Sequence, residues 1–284
     1  MAIRAILLDI DGTLTDDNKK ITEDTRRALL IAQQYGIQLV IASGRPSRGI
    51  FQFGDQLDMR EHHGIFVCYN GARVVDCETG KVLLDITIPQ DLTRAVLEHI
   101  KKFDVRPIIT HGDYMVVNDV YNCMVKDGDR EFNVIAYESR PNGYRLMETD
   151  DLAAYADFPV EKILTAGDSD YLQEHYKEMA APFVGKLSMM FTSNFYYEYT
   201  ALGVDKGSAL KKTMKSLGIK PEECIAFGDS ENDISMLEYA GIGVAMGNAQ
   251  KGVLDIADEV TDDNNHDGIA KSLAHHIPEL HTFD

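Results

Sequence analysis

Residues 7–17 read LLDIDGTLTDD. The run Ala5-Ile6-Leu7-Leu8 that leads into this stretch is short and apolar, the pattern of a strand buried on both faces of a parallel sheet. It closes on two carboxylates, Asp9 and Asp11, one residue apart and followed by Gly12 and Thr13. Alone, such a stretch is a turn signal, since acidic residues end strands and Asp-Gly favours tight turns. At the mouth of a buried strand, however, two carboxylates need a partner, because charge held away from water is costly unless it is compensated. The rest of the chain has to supply that partner.

Working outward, Thr22 to Tyr35 is predicted helical. Thr22 is a plausible N-cap, Glu23 and Asp24 sit in the first turn, and Ala28, Leu29, Ala32 and Tyr35 recur at helical spacing before Gly36. Ile37 to Ala42 (IQLVIA) is a second strand running into Ser43-Gly44-Arg45, which completes a right-handed strand-helix-strand unit. The C-terminal part repeats that grammar, with helices predicted at Lys206 to Leu217 and Asp233 to Ala240. Strands are predicted at Cys224 to Phe227, Gly243 to Met246 and around Ala257 to Val260.

From about Ile86 to Tyr196 the writing changes. Runs such as RPIITHGDYMVVND alternate with period two, and helices are expected at Asp91 to Phe103 and Asp170 to Met179. That is the pattern of a mainly antiparallel sheet covered by helices on one side. The expected fold is therefore α/β, a Rossmann-like doubly wound parallel sheet interrupted by an α+β insertion. The expected division is 1–85 core, 86–196 insert and 197–284 core.

The chain of 284 residues is 44% apolar and 26% charged, ordinary for a folded globular protein. With 28 basic against 46 acidic residues its net charge is −18, which argues against nucleic acid or an anionic membrane as partner. It leaves room for a small anionic ligand where local cations or a metal reverse the field. Cys68, Cys77, Cys123 and Cys224 form no CxxC pair and no zinc-ligand spacing. With one Arg and a very short apolar run at the N-terminus, a signal peptide is not expected, and the protein reads as cytoplasmic.

In an open parallel sheet, ligands bind at the carboxyl ends of the strands, where strand order reverses. The loops following the predicted core strands are DIDGT, SGR and GDSEND. They would gather Asp9, Asp11, Ser43, Asp229, Asn232 and Asp233 at one edge. So many carboxylates in one cleft call for a cation, and all-oxygen ligation with few protein ligands suits Mg²⁺ carrying a substrate phosphate. Amides at Ile10 and Asp11, the hydroxyl and amide of Ser43 and the amide of Gly44 are candidate phosphate donors. Lys206 opens a helix against the macrodipole, which hints at an anion nearby.

At these residues the sequence resembles the haloacid dehalogenase superfamily, and within it the Cof-type phosphatases with a class IIB cap. DIDGTL at 9–14, NGA at 70–72, the lysine of DKG at 205–207, GDSENDISML at 228–237 and GNA at 247–249 carry the resemblance along the whole chain. It implies that Asp9 is the nucleophile, forming an aspartyl-phosphate, and that Asp11 is the general acid and base. It implies Mg²⁺ on Asp9, the Asp11 backbone carbonyl and Asp229, and phosphoryl oxygens on Ser43, Lys206 and Asn232, with Asp233 orienting Lys206. The insert would be the cap that closes over the cleft. Arg45, Asn70 and Gly71 are expected substrate contacts, with Arg106, His111, Tyr114 and Asn118 as candidates in the insert.

The expected activity is Mg²⁺-dependent hydrolysis of small phosphate monoesters, sugar phosphates first and phosphorylated cofactors such as flavin mononucleotide or pyridoxal phosphate next. A phosphomutase and a non-enzymatic phosphate-ligand sensor are the alternatives. The acidic run Thr261 to Asp267 (TDDNNHD) reads as a solvated loop, the histidines at 62, 63, 275, 276 and 281 as surface, and Phe195-Tyr196-Tyr197-Tyr199 as packing where insert meets core.

Overall fold

The computed structural model describes residues 2–283. The chain divides into two compact units, one formed by the segments up to Leu84 and from Asp205 onward, the other by Asp85–Val204.

The first unit is built on an eight-stranded sheet. Its order is Glu259–Val260, Ile242–Ala245, Cys224–Gly228, Ala5–Leu8, Gln38–Ala42, Ile65–Cys68, Arg73–Asp76, Val82–Asp85. The strands from Glu259–Val260 through Ile65–Cys68 pair parallel, and Arg73–Asp76 returns antiparallel. Ala5–Leu8 lies in the middle and is buried throughout, as an apolar run with no polar face must be. Successive strands step outward from it to one side (Gln38–Ala42, Ile65–Cys68), and the C-terminal strands step outward to the other. Strand order therefore reverses between Ala5–Leu8 and Cys224–Gly228, so Asp9 and Asp229 leave the sheet side by side.

One face of this sheet buries Ala5, Leu7, Val40, Ala42, Cys224 and Ala226 against Ala209, Leu210 and Met214 of helix Lys206–Ser216 and against Met236 and Leu237. By alternation Ile6 and Leu8 face the other way, and they too are fully buried. Helix Glu23–Gln34 packs against helix Gly268–His276. Thr22 takes the N-cap position without a side-chain capping bond, whereas Asp205 caps Lys206–Ser216 by accepting from Ser208 N at 2.7 Å.

The second unit holds a six-stranded sheet in the order Arg145–Glu148, Tyr114–Val117, Arg106–His111, Lys162–Ala166, Tyr196–Ala201, Leu187–Ser193. Its pairings are antiparallel except that of Arg145–Glu148 with Tyr114–Val117. Helices Gln90–Ile100 and Ser169–Ala180 bring Val96, Leu97, Leu172 and Met179 to one face. The other face is covered as well: Val134 and Ile135 of the short helix Val134–Ser139, with Val125 of the Met124–Asp127 hairpin strand, pack on Ile108, Met115 and Leu164. Single-sided cover was the expectation; Ile108 and Ile109 point to opposite faces and are both buried, which requires cover on both.

The expected return to the core at 197 falls inside the strand Tyr196–Ala201, which is paired on both edges within the inserted sheet. The insertion therefore runs to Val204. Tyr197 and Tyr199 belong to one apolar cluster of this unit, Phe195 and Tyr196 to the other, so the aromatic run packs inside the insertion. Among the described residues, no helix is long and apolar enough to cross a membrane.

Candidate active site

Asp9 follows the central strand, 6% exposed, and its amide donates to Phe227 O at 3.1 Å across the switch point. Lys206, fully buried at the start of its helix, donates through Nζ to Asp9 Oδ1 at 2.5 Å and to Asp233 Oδ1 at 2.6 Å. The other oxygen of Asp233 accepts from the amides of Asp229 and Ser230, both at 3.0 Å. Asp233 is thus a fixed post that aims the ammonium at Asp9. Asp229 accepts from Thr13 Oγ1 at 2.8 Å through one oxygen and from Ser230 Oγ at 2.9 Å through the other.

Asp9, Asp229 and Asp233 each bring a carboxylate oxygen to within 4.8 Å of the others. Burial, then the charge of Asp233, pushes Asp9 well above the usual carboxylate range despite Lys206, and Asp229 adds to it. Burial and Asp233 likewise push Asp229 up to about 6, against the hydrogen bonds from Thr13 and Ser230. Burial lowers the Lys206 ammonium, but Asp233 and Asp9 more than reverse this and hold it above the usual lysine range. Three carboxylates around one ammonium leave surplus negative charge, and Asp9 Oδ2 accepts no hydrogen bond among the described residues. An all-oxygen set with that surplus fits a hard divalent cation such as Mg²⁺. Of the three, Asp9 keeps an oxygen without a donor and Asp229 accepts only from hydroxyls, which can turn aside, whereas Asp233 is held by the Lys206 ammonium and two backbone amides.

Asp11 stands apart from this cluster. Its carboxylate, 40% exposed, is gripped by the Arg45 fork, with Nε to Oδ2 and Nη2 to Oδ1 both at 2.7 Å, and by Lys19 Nζ at 2.9 Å. Burial would raise Asp11, but Arg45 and Lys19 outweigh it and take the carboxyl down to about 2. Arg45, expected to face substrate, therefore bonds to Asp11 and lies over the Phe53 ring.

The remaining predicted residues divide. Ser43 is buried; its Oγ accepts from Arg45 N at 3.2 Å and its carbonyl from Asn70 N at 3.0 Å. Gly44 lies against Asn70, whose Nδ2 would sit 3.1 Å from a Cβ there. Asn70 is 1% exposed and accepts from Asn232 Nδ2 at 3.1 Å, which ties the loop after Ile65–Cys68 to the GDSEND loop. Ile10 is fully buried, and its carbonyl accepts from Thr15 N and Thr15 Oγ1, each at 3.0 Å. Gly71, at φ +105°, is placed where a Cβ would lie 2.3 Å from Asp205 O. Asn70 and Gly71, the expected substrate contacts, are both buried, and Gly71 seats the helix that presents Lys206.

In the insertion, Arg106 pairs with Asp104 and Asn118 donates to Thr149 O at 3.0 Å. His111 stacks on Phe158 at 3.8 Å, and Tyr114 lies under Arg145. Sequence reasoning missed Thr13, Ser230 and Lys19. Thr13 and Ser230 sit inside motifs already singled out, and the search for carboxylates and cations passed over hydroxyls. Lys19 lies beyond the motif, and a turn in which Asp16 accepts from Asn18 N and Lys20 N, both at 2.9 Å, brings it back to Asp11.

Comparison with known proteins places the chain in a family. The family described as haloacid dehalogenase-like hydrolase matches residues 6–273. A 5-amino-6-(5-phospho-D-ribitylamino)uracil phosphatase of Bacillus subtilis is 30% identical, covering 97% of this chain and 96% of its own. A pyridoxal phosphate phosphatase of Escherichia coli is 29% identical, covering 98% and 100%. Among solved structures, a haloacid dehalogenase-like hydrolase from Bacteroides thetaiotaomicron superposes with a TM-score of 0.86 at 31% identity, covering 96% of this chain and 99% of its own. A sugar phosphatase of subclass IIB superposes with a TM-score of 0.78 at 28% identity, covering 96% and 98%.

Proposed function

The chain belongs to the haloacid dehalogenase-like hydrolase family and is a phosphatase, and from that premise we propose that it hydrolyses small phosphate monoesters through an aspartyl-phosphate on Asp9, with Mg²⁺ as cofactor. The observation that carries the reading is the buried Lys206 ammonium fixed by Asp233 against Asp9, beside a second carboxylate, Asp229, at the switch point of the sheet.

A carboxylate oxygen of Asp9 attacks phosphorus while the bond to the leaving oxygen breaks, and the phosphoryl group passes to Asp9. Lys206 offsets the charge that gathers on its oxygens. Ser43, Gly44 and Asn232, with the amide of Ile10, are assigned to phosphate binding around it. Mg²⁺ bound by Asp9, Asp229 and the Asp11 carbonyl would neutralise phosphate and carboxylate charge together. Asp11 is assigned to take a proton from the water that hydrolyses the aspartyl-phosphate, which requires Arg45, now on both of its oxygens, to release it. Its earlier role, donating a proton to the leaving oxygen, requires Arg45 to turn from Asp11 toward the anionic substrate. The cycle ends with inorganic phosphate and Asp9 restored.

For the substrate we favour a sugar phosphate, the class named for the subclass IIB relative. A phosphorylated cofactor or its precursor is the second reading, favoured by the pyridoxal phosphate and ribitylaminouracil phosphatases. A reducing, cytoplasmic setting accords with four buried free cysteines.

The test is phosphate release from a panel of sugar phosphates, nucleotides and phosphorylated cofactors, with Mg²⁺ and with chelator. Release that needs the metal and centres on one chemical group supports the reading and selects between the two substrate classes. Equal release with chelator overturns the Mg²⁺ assignment, and sugar isomerisation without net phosphate release overturns hydrolysis in favour of a mutase.

A further inference from the structure

The segment Thr261 to Asp267, which reads as a solvated acidic loop, holds a buried side chain: Asn264 is 7% exposed. Its Nδ2 donates to Thr15 O at 2.8 Å, and its backbone N donates to Asn248 Oδ1 at 3.1 Å. Asn248 in turn donates through Nδ2 to Gly12 O at 2.8 Å. Next door, Asn265 Oδ1 accepts from Asp17 N at 3.1 Å. Two asparagines thus hold both ends of the Gly12–Thr15 turn. Thr15 is bridged to Asp11, so a hold on its carbonyl passes directly to the Asp11 backbone. The loop that carries Asn248 joins this segment to the other side of the site: Gly247 N donates to Asp262 O at 3.2 Å, and Gln250 N to Asp229 O at 2.8 Å.

We propose that Asn264, acting with Asn248, is a positioning residue for phosphoryl transfer: the pair sets the Asp11–Thr15 turn against Asp229. This rests on the reading above, in which Asp9, Asp229 and the Asp11 carbonyl hold Mg²⁺. Three features favour it over general loop packing. Both side chains make their short bonds to carbonyls of this one turn, Asn264 adding a longer one to Asp17 Oδ1 at 3.5 Å. The turn supplies Thr13 Oγ1 to Asp229. Gly12, at φ +86°, leaves only 2.6 Å between a would-be Cβ and Asp229 Oδ2, so a small shift of the turn changes the distance between the two halves of the cation site. Side chains that orient metal ligands in this indirect way are commonly worth a tenfold or greater change in metal affinity.

The experiment compares wild-type protein with Asn264→Ala, Asn264→Asp and Asn248→Ala. Thr213→Ala serves as the stability control, because Thr213 is buried in the same unit, donates to Ala209 O and lies outside the site. Calorimetric titration with Mg²⁺ alone, thermal melting, and kcat and KM on p-nitrophenyl phosphate are measured for each. The expected result is Mg²⁺ binding about tenfold weaker in the asparagine variants, with kcat falling more than KM rises, while Thr213→Ala lowers only the melting temperature. Asn264→Asp keeps the side-chain size but lacks the Nδ2 donor, and it behaves as the alanine variant does. Asparagine variants that melt lower yet bind Mg²⁺ as wild type does and keep its kcat overturn the proposal. If Asn264 variants do not fold, the exposed Asn248 decides alone. Wild-type protein that takes up no Mg²⁺ overturns the metal reading itself, a separate result, and unchanged kcat in both alanine variants then overturns the clasp.

Discussion

Lys206 shows what a single side chain does at this site. Its ammonium is sealed from water and pairs with two carboxylates at once, so its removal would strand Asp9 and Asp233 in a low-dielectric pocket. Lys206→Met is expected to cost metal-free protein about 3–5 kcal/mol, read from urea denaturation at neutral pH. A loss within experimental error would show that the pocket takes up water or protons at little cost. Asp9→Asn acts in the opposite sense on stability. It removes one of three crowded like charges and leaves Oδ1 free to accept from Lys206, so turnover should vanish while the metal-free melting temperature holds or rises. Phosphate release at the wild-type rate from this variant would overturn the covalent mechanism.

At the scale of elements, the site depends on close approach between loops that belong to different strands. Gly71 lets the loop after Ile65–Cys68 come within van der Waals contact of Asp205, the N-cap of the Lys206 helix, in a backbone conformation that L side chains rarely adopt. Gly71→Ala combines strain of about 1–3 kcal/mol with displacement of that helix start. The expected outcome is a lower melting temperature together with a fall in kcat, because the ammonium moves with the helix. Gly36→Ala, also at positive φ but with open space around it, should lower the melting temperature without touching kcat. If the two variants lost stability equally and both kept kcat, the seating role assigned to Gly71 would be wrong.

For the whole molecule, the carboxylate cluster links stability to pH and to metal. Folding raises Asp229 to about 6 and moves Asp9 the same way, and a carboxyl raised on folding stabilises the fold only while protonated. Metal-free stability should therefore fall as pH rises from about 4 through 6. Asp11 works in the other direction: its lowered carboxyl contributes above pH 4 and loses that contribution toward about 2, a smaller effect because the group is partly exposed. If Mg²⁺ binds as proposed it supplies the missing positive charge, so the gap in melting temperature between Mg²⁺ and chelator should widen from pH 5 to pH 7. An equal gap at both values would mean that the cation does not bind this cluster.

Much was legible in the sequence because it is written locally. An apolar run ending in carboxylates, helical spacing broken at Gly36, and polar loops at three strand ends are short-range patterns, and they determined the parallel α/β core, the insertion and the residues that lead to Asp9, Lys206, Asp229 and Asp233. The strands Ile65–Cys68 (IFVC) and Arg73–Asp76 (RVVD) escaped notice because four residues, one set wholly apolar and the other with only two apolar positions, carry no period that separates strand from helix. What only the tertiary structure decided is who meets whom across long stretches of chain. Arg45 belongs to Asp11, Asn70 to Asn232, the strand Tyr196–Ala201 to the insertion, and Asn264 to Thr15. Those pairings depend on strand order and on backbone turns that bring residues up to 249 positions apart within hydrogen-bonding distance, and residue type and spacing do not encode such distances.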